Sequence, residues 1–304
     1  MGGRGARSKP AREADGASTG NYVAEWFGHR VWPLVDTSAT AAANQTSSLC
    51  PFLSNATATR RECVKRLGGY AQPTGVCTIS SDSNGVRQDW LACPIRTLDA
   101  DFTLLVAAIR TTYLIAKSVE VLVLPVTVLA VPTRRLSIKD GLARHARIFL
   151  FAGAKVGGEV DFPETETSPG SKVDVSVIEV LGLDPVTRKP TSYGKHMLYE
   201  IQTADFHGSP LHAVRKLRAL CPRVASPKYH HHLQASPEIA GQGVEGPNKA
   251  NIFKRTIYQM IIKIQLASHN DCVPNPRSRS RTTSWLGKRC ASSSIHVEPQ
   301  MPMS

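Results

Sequence analysis

Asp174, Glu200 and Gln202 are the residues of this sequence best placed to do chemistry. Asp174 lies in Ser171-Lys172-Val173-Asp174-Val175-Ser176-Val177, and Glu200 and Gln202 lie in Met197-Leu198-Tyr199-Glu200-Ile201-Gln202-Thr203. The runs 173–181 and 196–203 are short and apolar and flank a turn at Asp184-Pro185-Val186-Thr187, so both read as strands. A period of two puts Glu200 and Gln202 on one face of the second strand. If the strands are antiparallel neighbours joined through 185–194, Asp174 approaches that face. Two carboxylates and an amide oxygen are hard ligands, the kind that hold Mg²⁺ through one or two carboxylates plus a substrate phosphate. The alternative is a half-buried strand pair with edge acids and no ligand.

The second group is Cys50, Cys63, Cys77 and Cys93, which fall within 44 residues at intervals of 13, 14 and 16, while Cys221, Cys272 and Cys290 are isolated. No pair has CxxC spacing, so spacing alone allows a metal site or four unrelated thiols equally. Two weaker groups follow. His230, His231 and His232 are adjacent and would point in different directions in any regular structure, so they read as a loop. Lys254, Arg255, Tyr258, Gln259 and Lys263 share a predicted helix, which suits phosphate and base-edge contacts or is an ordinary amphipathic helix with a solvated basic side.

These residues need a scaffold. The block 21–100 contains the grouped cysteines among turn formers such as Gly68-Gly69, Pro73, Gly75 and Pro94, and reads as a small loop-rich module without an evident core. Residues 101–150 supply core material: a helix start at 101–109 with Asp101 as its cap, then an apolar β-branched run over 119–131 ending at Pro132. The two strands follow, then a helix over 211–220 and another over 249–267, apolar at Ile252, Phe253 and Ile257. Strand, turn, strand, helix with flanking helices is an α/β plan. Residues 1–20 read as a disordered tail. Residues 273–304 show neither helical nor strand period and read as a disordered or non-native-like tail.

Composition narrows the function classes. The 304 residues carry a formal charge of +13 and a pI near 9.6. About +2 lies in 1–18 and +4 in 273–304, which leaves +7 for the body. A basic body fits a polyanion partner, or is plain solubility charge. The apolar stretch 104–131 is broken by Arg110, Lys117, Glu120 and Pro125, and its longest uncharged run, 121–133, is short of the ~20 residues a spanning helix needs, so no membrane role is expected. The N-terminal twenty residues lack the apolar core of a secretory signal, which makes the reducing cytoplasm the expected compartment and the Asn44 and Asn55 sequons irrelevant.

The words around the acids resemble a known family. Asp…Glu-x-Gln on a β-hairpin is similar to the PD-(D/E)xK nuclease motif in its Glu-x-Gln variant. Gly157-Gly158-Glu159-Val160, Gly170-Ser171-Lys172-Val173-Asp174-Val175 and Tyr199-Glu200-Ile201-Gln202-Thr203-Ala204-Asp205-Phe206-His207-Gly208-Ser209 resemble the catalytic stretch of NotI-like type II restriction endonucleases. Ala24-Glu25-Trp26-Phe27-Gly28-His29-Arg30-Val31 and Lys249-Ala250-Asn251-Ile252-Phe253-Lys254-Arg255-Thr256-Ile257-Tyr258-Gln259 resemble flanking segments, so the likeness covers roughly residues 20–272.

The resemblance implies an α/β restriction-endonuclease-like core over 101–272, preceded over 21–100 by a small module in which Cys50, Cys63, Cys77 and Cys93 hold a structural metal, with Zn and Fe both open. It implies a site-specific deoxyribonuclease that hydrolyses phosphodiester bonds of double-stranded DNA with Mg²⁺ on Asp174 and Glu200. Glu159 would hold a second ion or orient the first, or is a solvated loop acid. Gln202 stands where most members carry Lys; an amide cannot act as a base at neutral pH, so it would position the attacking water. Asp205 would be a further acid or a helix cap. The implied partners are double-stranded DNA, a second copy of the chain and a cognate DNA methyltransferase. The departure from the family after Cys272 keeps a catalytically inactive, metal-stapled DNA-binding protein open, and a DNA repair nuclease without site specificity would share the same acids.

Overall fold

A computed structural model describes residues 20–67, 70–83, 85–153, 156, 160–162, 171–221 and 227–269. The chain begins with β1 (Tyr22–Trp26) and β2 (His29–Arg30), two helices α1 (Ala39–Thr46) and α2 (Pro51–Thr57), then β3 (Val76–Ser83) and β4 (Val86–Leu91). These four strands form one antiparallel sheet in the order β2-β1-β3-β4. The block expected to be loop-rich is therefore a sheet with two helices. Its turn formers sit between elements, and β1 buries Val23, Ala24, Glu25 and Trp26 in succession because both its faces are covered. The Ser38 hydroxyl accepts the Ala41 N–H at 3.1 Å to start α1. Pro51 opens α2, and the Cys50 sulfur accepts the Leu53 N–H at 3.5 Å.

A 3₁₀ turn over Pro94–Leu98 leads into α3 (Thr103–Thr112), β5 (Val121–Pro125), α4 (Arg135–Ala143) and β6 (Arg147–Gly153). The N-cap of α3 is Phe102, which makes no side-chain cap, and it is Asp99 rather than the expected Asp101 whose Oδ1 accepts the Thr103 N–H, at 2.7 Å. The apolar run over 119–131 divides: its first half is β5, and after Pro125 the chain turns into 3₁₀ helix because proline leaves no N–H for the ladder. β7 (Val160–Phe162) and β8 (Ser171–Val173) make a two-stranded ribbon, followed by β9 (Val175–Leu183) and β10 (Pro190–Tyr199). The second sheet runs β10-β9-β6-β5, with β5 parallel to β6 across α4 and the other pairs antiparallel.

β6 is buried on both faces, which is why its sequence is nearly continuous in apolar residues rather than alternating. Phe149 and Phe151 join Val175 and Val177 in the main core, while Ile148, Leu150 and Val180 pack beneath Ile138 of α4. The main core also takes in Cys50, Cys63, Cys77 and Cys93 and side chains of two further helices, with a third helix outside it. These are α5 (Leu211–Leu220), which buries Ala213, Val214 and Leu217, α6 (Pro227–Ala235), and α7 (Lys249–His269) beyond it. Each fully buried aliphatic or aromatic side chain contributes ~1.5–3 kcal/mol. The architecture is mixed α/β, as composition and pattern led us to expect. His230, expected on a loop, is on α6 and buried, because the helix turns it inward between Tyr229 and Leu233. Among the described residues no helix is long and apolar enough to cross a membrane.

Candidate active site and thiol cluster

β9 and β10 are paired down to Tyr199↔Val175, and Glu200 and Asp174 are the next residues along the two segments. Asp174 occupies the bend between β8 and β9, where its Oδ2 accepts the Ile201 N–H at 2.9 Å. That bond holds the chain leaving β10 against the half-buried carboxylate, while Glu200, the residue before Ile201, is exposed.

The main chain of Asp174 is positioned from its other side by Gly153. This residue ends β6 opposite Val175 and has φ +104°, a region that L side chains rarely enter. A Cβ on Gly153 would lie 2.3 Å from the Asp174 carbonyl oxygen, so only glycine lets the two backbones approach. Sequence reasoning missed Gly153; its one signal was a glycine closing an otherwise apolar run.

Gln202 departs from expectation. β10 ends at Tyr199, so Glu200 and Gln202 lie beyond the strand rather than on one of its faces. The Gln202 Nε2 donates to the Thr203 carbonyl at 2.9 Å, which makes Oε1 the atom that can face a cation or its water. The strand stops here because the chain leaves β9 for the other sheet: Ala204 N–H donates to Leu91 O at the end of β4, at 2.8 Å. Asp205 caps no helix. Its carboxylate takes Arg255 Nη1 at 2.5 and 2.7 Å, an ion pair that links this segment to α7. Glu159 lies outside the described residues.

Two carboxylates and an amide oxygen match the hard oxygen chemistry of Mg²⁺, which keeps much of its own water. Among the described residues no group of three or more His, Cys, Asp or Glu that could hold a metal ion is present.

The four grouped cysteines, 13 to 16 residues apart in sequence, converge in the first core. Cys50 and Cys63 are brought together by a bridge between Leu49 and Glu62 and by bonds from Cys50 N–H to Arg61 O and from Cys63 N–H to Ser48 O. Cys77 on β3 and Cys93 are joined by Cys93 N–H to Cys77 O at 3.2 Å. All four thiols are free and buried.

Burial pushes the Cys50 thiol up to about 12; the Leu53 N–H opposes this, and Cys63 and Cys93 add to it. Cys77 is pushed well above the usual range by burial, by Cys93 and Cys50, and by Glu25. Burial also raises Cys93, opposed by Lys65 and by the Ile95 and Arg96 N–H groups. The four sulfurs would repel one another as thiolates, and backbone N–H groups are turned toward three of them, but among the described residues they do not form a group of three or more that could hold a metal ion. Glu25 and Arg96 close this cluster with a two-pronged ion pair at 2.8 and 3.2 Å, and Arg96 also lies over the Phe52 ring.

Compared with known protein families and with curated proteins, the chain has no match.

Proposed function

We propose that this protein is a Mg²⁺-dependent endonuclease of the PD-(D/E)xK class that cuts double-stranded DNA at specific sites, in the manner of NotI-like type II restriction enzymes. The observation that carries the reading is the bond from the Ile201 N–H to the Asp174 carboxylate at the end of the β9–β10 hairpin, one residue past Glu200.

Asp174 and Glu200 would hold the ion, with Glu159 as a further acid from outside the described residues. When bound, Mg²⁺ supplies charge stabilisation at the phosphate and a water of lowered pKa. Asp174 is fixed on both sides, by Gly153 behind its main chain and by Ile201 at its carboxylate, so it is organised before substrate arrives. Gln202 carries no charge and orients the attacking water through Oε1. A homodimer would present one site per strand and suit a palindromic target. A cognate methyltransferase would protect the host DNA.

Cys50, Cys63, Cys77 and Cys93 would hold a structural Zn or Fe ion. The support is their convergence, their mutual repulsion when ionised and the N–H groups turned to their sulfurs.

The test is incubation of mixed DNA with the protein and Mg²⁺, beside Asp174→Asn and Glu200→Gln. Discrete fragments made by the wild type alone support the reading. A smear points to a nuclease without site specificity, and retention of DNA with no cut overturns the catalytic claim.

A further inference from the structure

The segment that leaves the acids ends on α7, whose exposed surface is unusual. Between Lys249 and His269 the sequence has four basic residues, Lys249, Lys254, Arg255 and Lys263, and no Asp or Glu. The side toward the protein takes Ile252 and Gln259, while Phe253 is 69% exposed and Tyr258 67% exposed. Of the apolar residues expected to anchor this helix, Ile252 faces the protein while Phe253 and Ile257 are exposed. Among the described residues Lys254 has no ion-pair partner. Arg255 is ion-paired through Nη1 with both oxygens of Asp205.

From these observations we propose that α7 is the helix that grips the DNA duplex, with Lys254 and Arg255 on phosphates and Tyr258 against the sugar and base edges, and that Asp205 occupies Arg255 until a phosphate replaces it. The inference rests on the DNA-cutting reading and adds the surface that binds the substrate. Three points support it. A face with positive charge and no acids complements a polyanion, whereas a second copy presenting the same helix would set Lys254 and Arg255 against like charges. The Arg255 guanidinium meets the carboxylate through Nη1 alone and its side chain is 53% exposed, so the rest of its planar fork can reach phosphate oxygens. Position completes the case. Five residues separate Glu200 from Asp205, at most about 18 Å of chain at ~3.3–3.6 Å each. That is roughly half of one duplex turn of about 34–36 Å. A duplex offering a phosphodiester to Asp174 and Glu200 therefore passes α7.

The experiment measures binding of a mixed-sequence duplex, in Ca²⁺ so that nothing is cut, across a salt series for the wild type, Lys254→Ala/Tyr258→Ala, Arg255→Ala and Asp205→Asn. Cleavage in Mg²⁺, melting temperature and oligomeric state are measured on the same proteins. Lys254→Ala/Tyr258→Ala should melt like the wild type, bind at least ~10-fold more weakly and lose about 0.9 from the slope of log affinity against log salt, the share of one phosphate contact. Arg255→Ala should lose a similar increment. Asp205→Asn should bind more tightly than the wild type, which a purely structural ion pair would not produce.

Wild-type affinity in Lys254→Ala/Tyr258→Ala would overturn the proposal, and so would a change in oligomeric state without a change in DNA affinity, which would make α7 a contact between copies. Tight binding through α7 with no cleavage by the wild type would overturn the nuclease reading and leave this one standing. Cleavage by the wild type with unchanged binding in the α7 variants would do the reverse.

Discussion

The Asp174 carboxylate accepts the backbone N–H of Ile201 at 2.9 Å, across 27 positions of sequence. One oxygen is thus committed to architecture while the charge stays available, and the two roles separate on mutation. Asp174→Asn keeps an acceptor for Ile201 and removes the charge, so cleavage should fall by about 10²–10³-fold or more with little change in melting. Asp174→Ala should lose activity equally and also ~0.5–1.5 kcal/mol of stability. Paired cleavage assays and thermal melts check both.

Gly153→Ala tests the support behind that carboxylate. The added Cβ meets the Asp174 carbonyl at 2.3 Å, and φ is +104°, so the backbone must shift. A cost of about 1–3 kcal/mol is expected, with cleavage reduced although the substituted residue carries no functional group. Unchanged activity and melting would show that Gly153 does not position Asp174.

The thiol cluster predicts one bound Zn or Fe per chain. Metal analysis of the purified protein reads this directly, and Fe would also show as visible absorption. Cys77→Ser should lose metal and melt at lower temperature, because Cys77 is buried with Cys93 and Cys50 and its serine would be left in an apolar site. Full stability after complete removal of metal by a chelator would refute a structural role.

The Glu25–Arg96 pair predicts asymmetric mutational costs. Glu25 is 6% exposed, so Arg96→Met leaves a buried carboxylate without its partner. That should cost about 3–5 kcal/mol. Adding Glu25→Gln to Arg96→Met should recover part of the loss, and denaturant unfolding of the two singles and the double measures the difference.

His196 predicts an acid-sensitive hairpin. Burial lowers its pKa below the usual 6.5, and among the described residues its Nε2 is buried without a hydrogen-bond partner. Below that value the unfolded chain binds a proton that the folded chain resists, so stability falls as pH drops through the ordinary histidine range and toward the lowered folded value. His196→Gln should flatten the pH dependence by up to one proton relative to the wild type. Parallel slopes in the two proteins would refute it.

Local pattern was legible in the sequence. The helix expected over 211–220 is α5 (Leu211–Leu220), and the turn at Asp184 is there, with its Oδ1 accepting the Val186 and Thr187 N–H groups. A helical period and an aspartate in a turn are decided by neighbours a few residues away. Asp174 and Glu200 were legible as a pair because one hairpin joins them. Gln202 was placed on a strand that in fact ends at Tyr199, since the chain there obeys a bond to Leu91 in the other sheet, which no local pattern encodes.

The sequence by itself determined the chemical inventory: two acids and an amide near a hairpin, four cysteines in one block, and a helix with basic residues and no acids. Tertiary structure alone decided how these meet. It gathered the thiols through the Leu49–Glu62 bridge and the β3 end, set Gly153 behind Asp174, and turned Phe253 and Tyr258 outward on α7. The physical reason is distance along the chain. Periodicity and turn chemistry act over a few residues, while the approach of Gly153 to Asp174 or of Asp205 to Arg255 is settled by which backbone and which charge the packed sheets bring within reach.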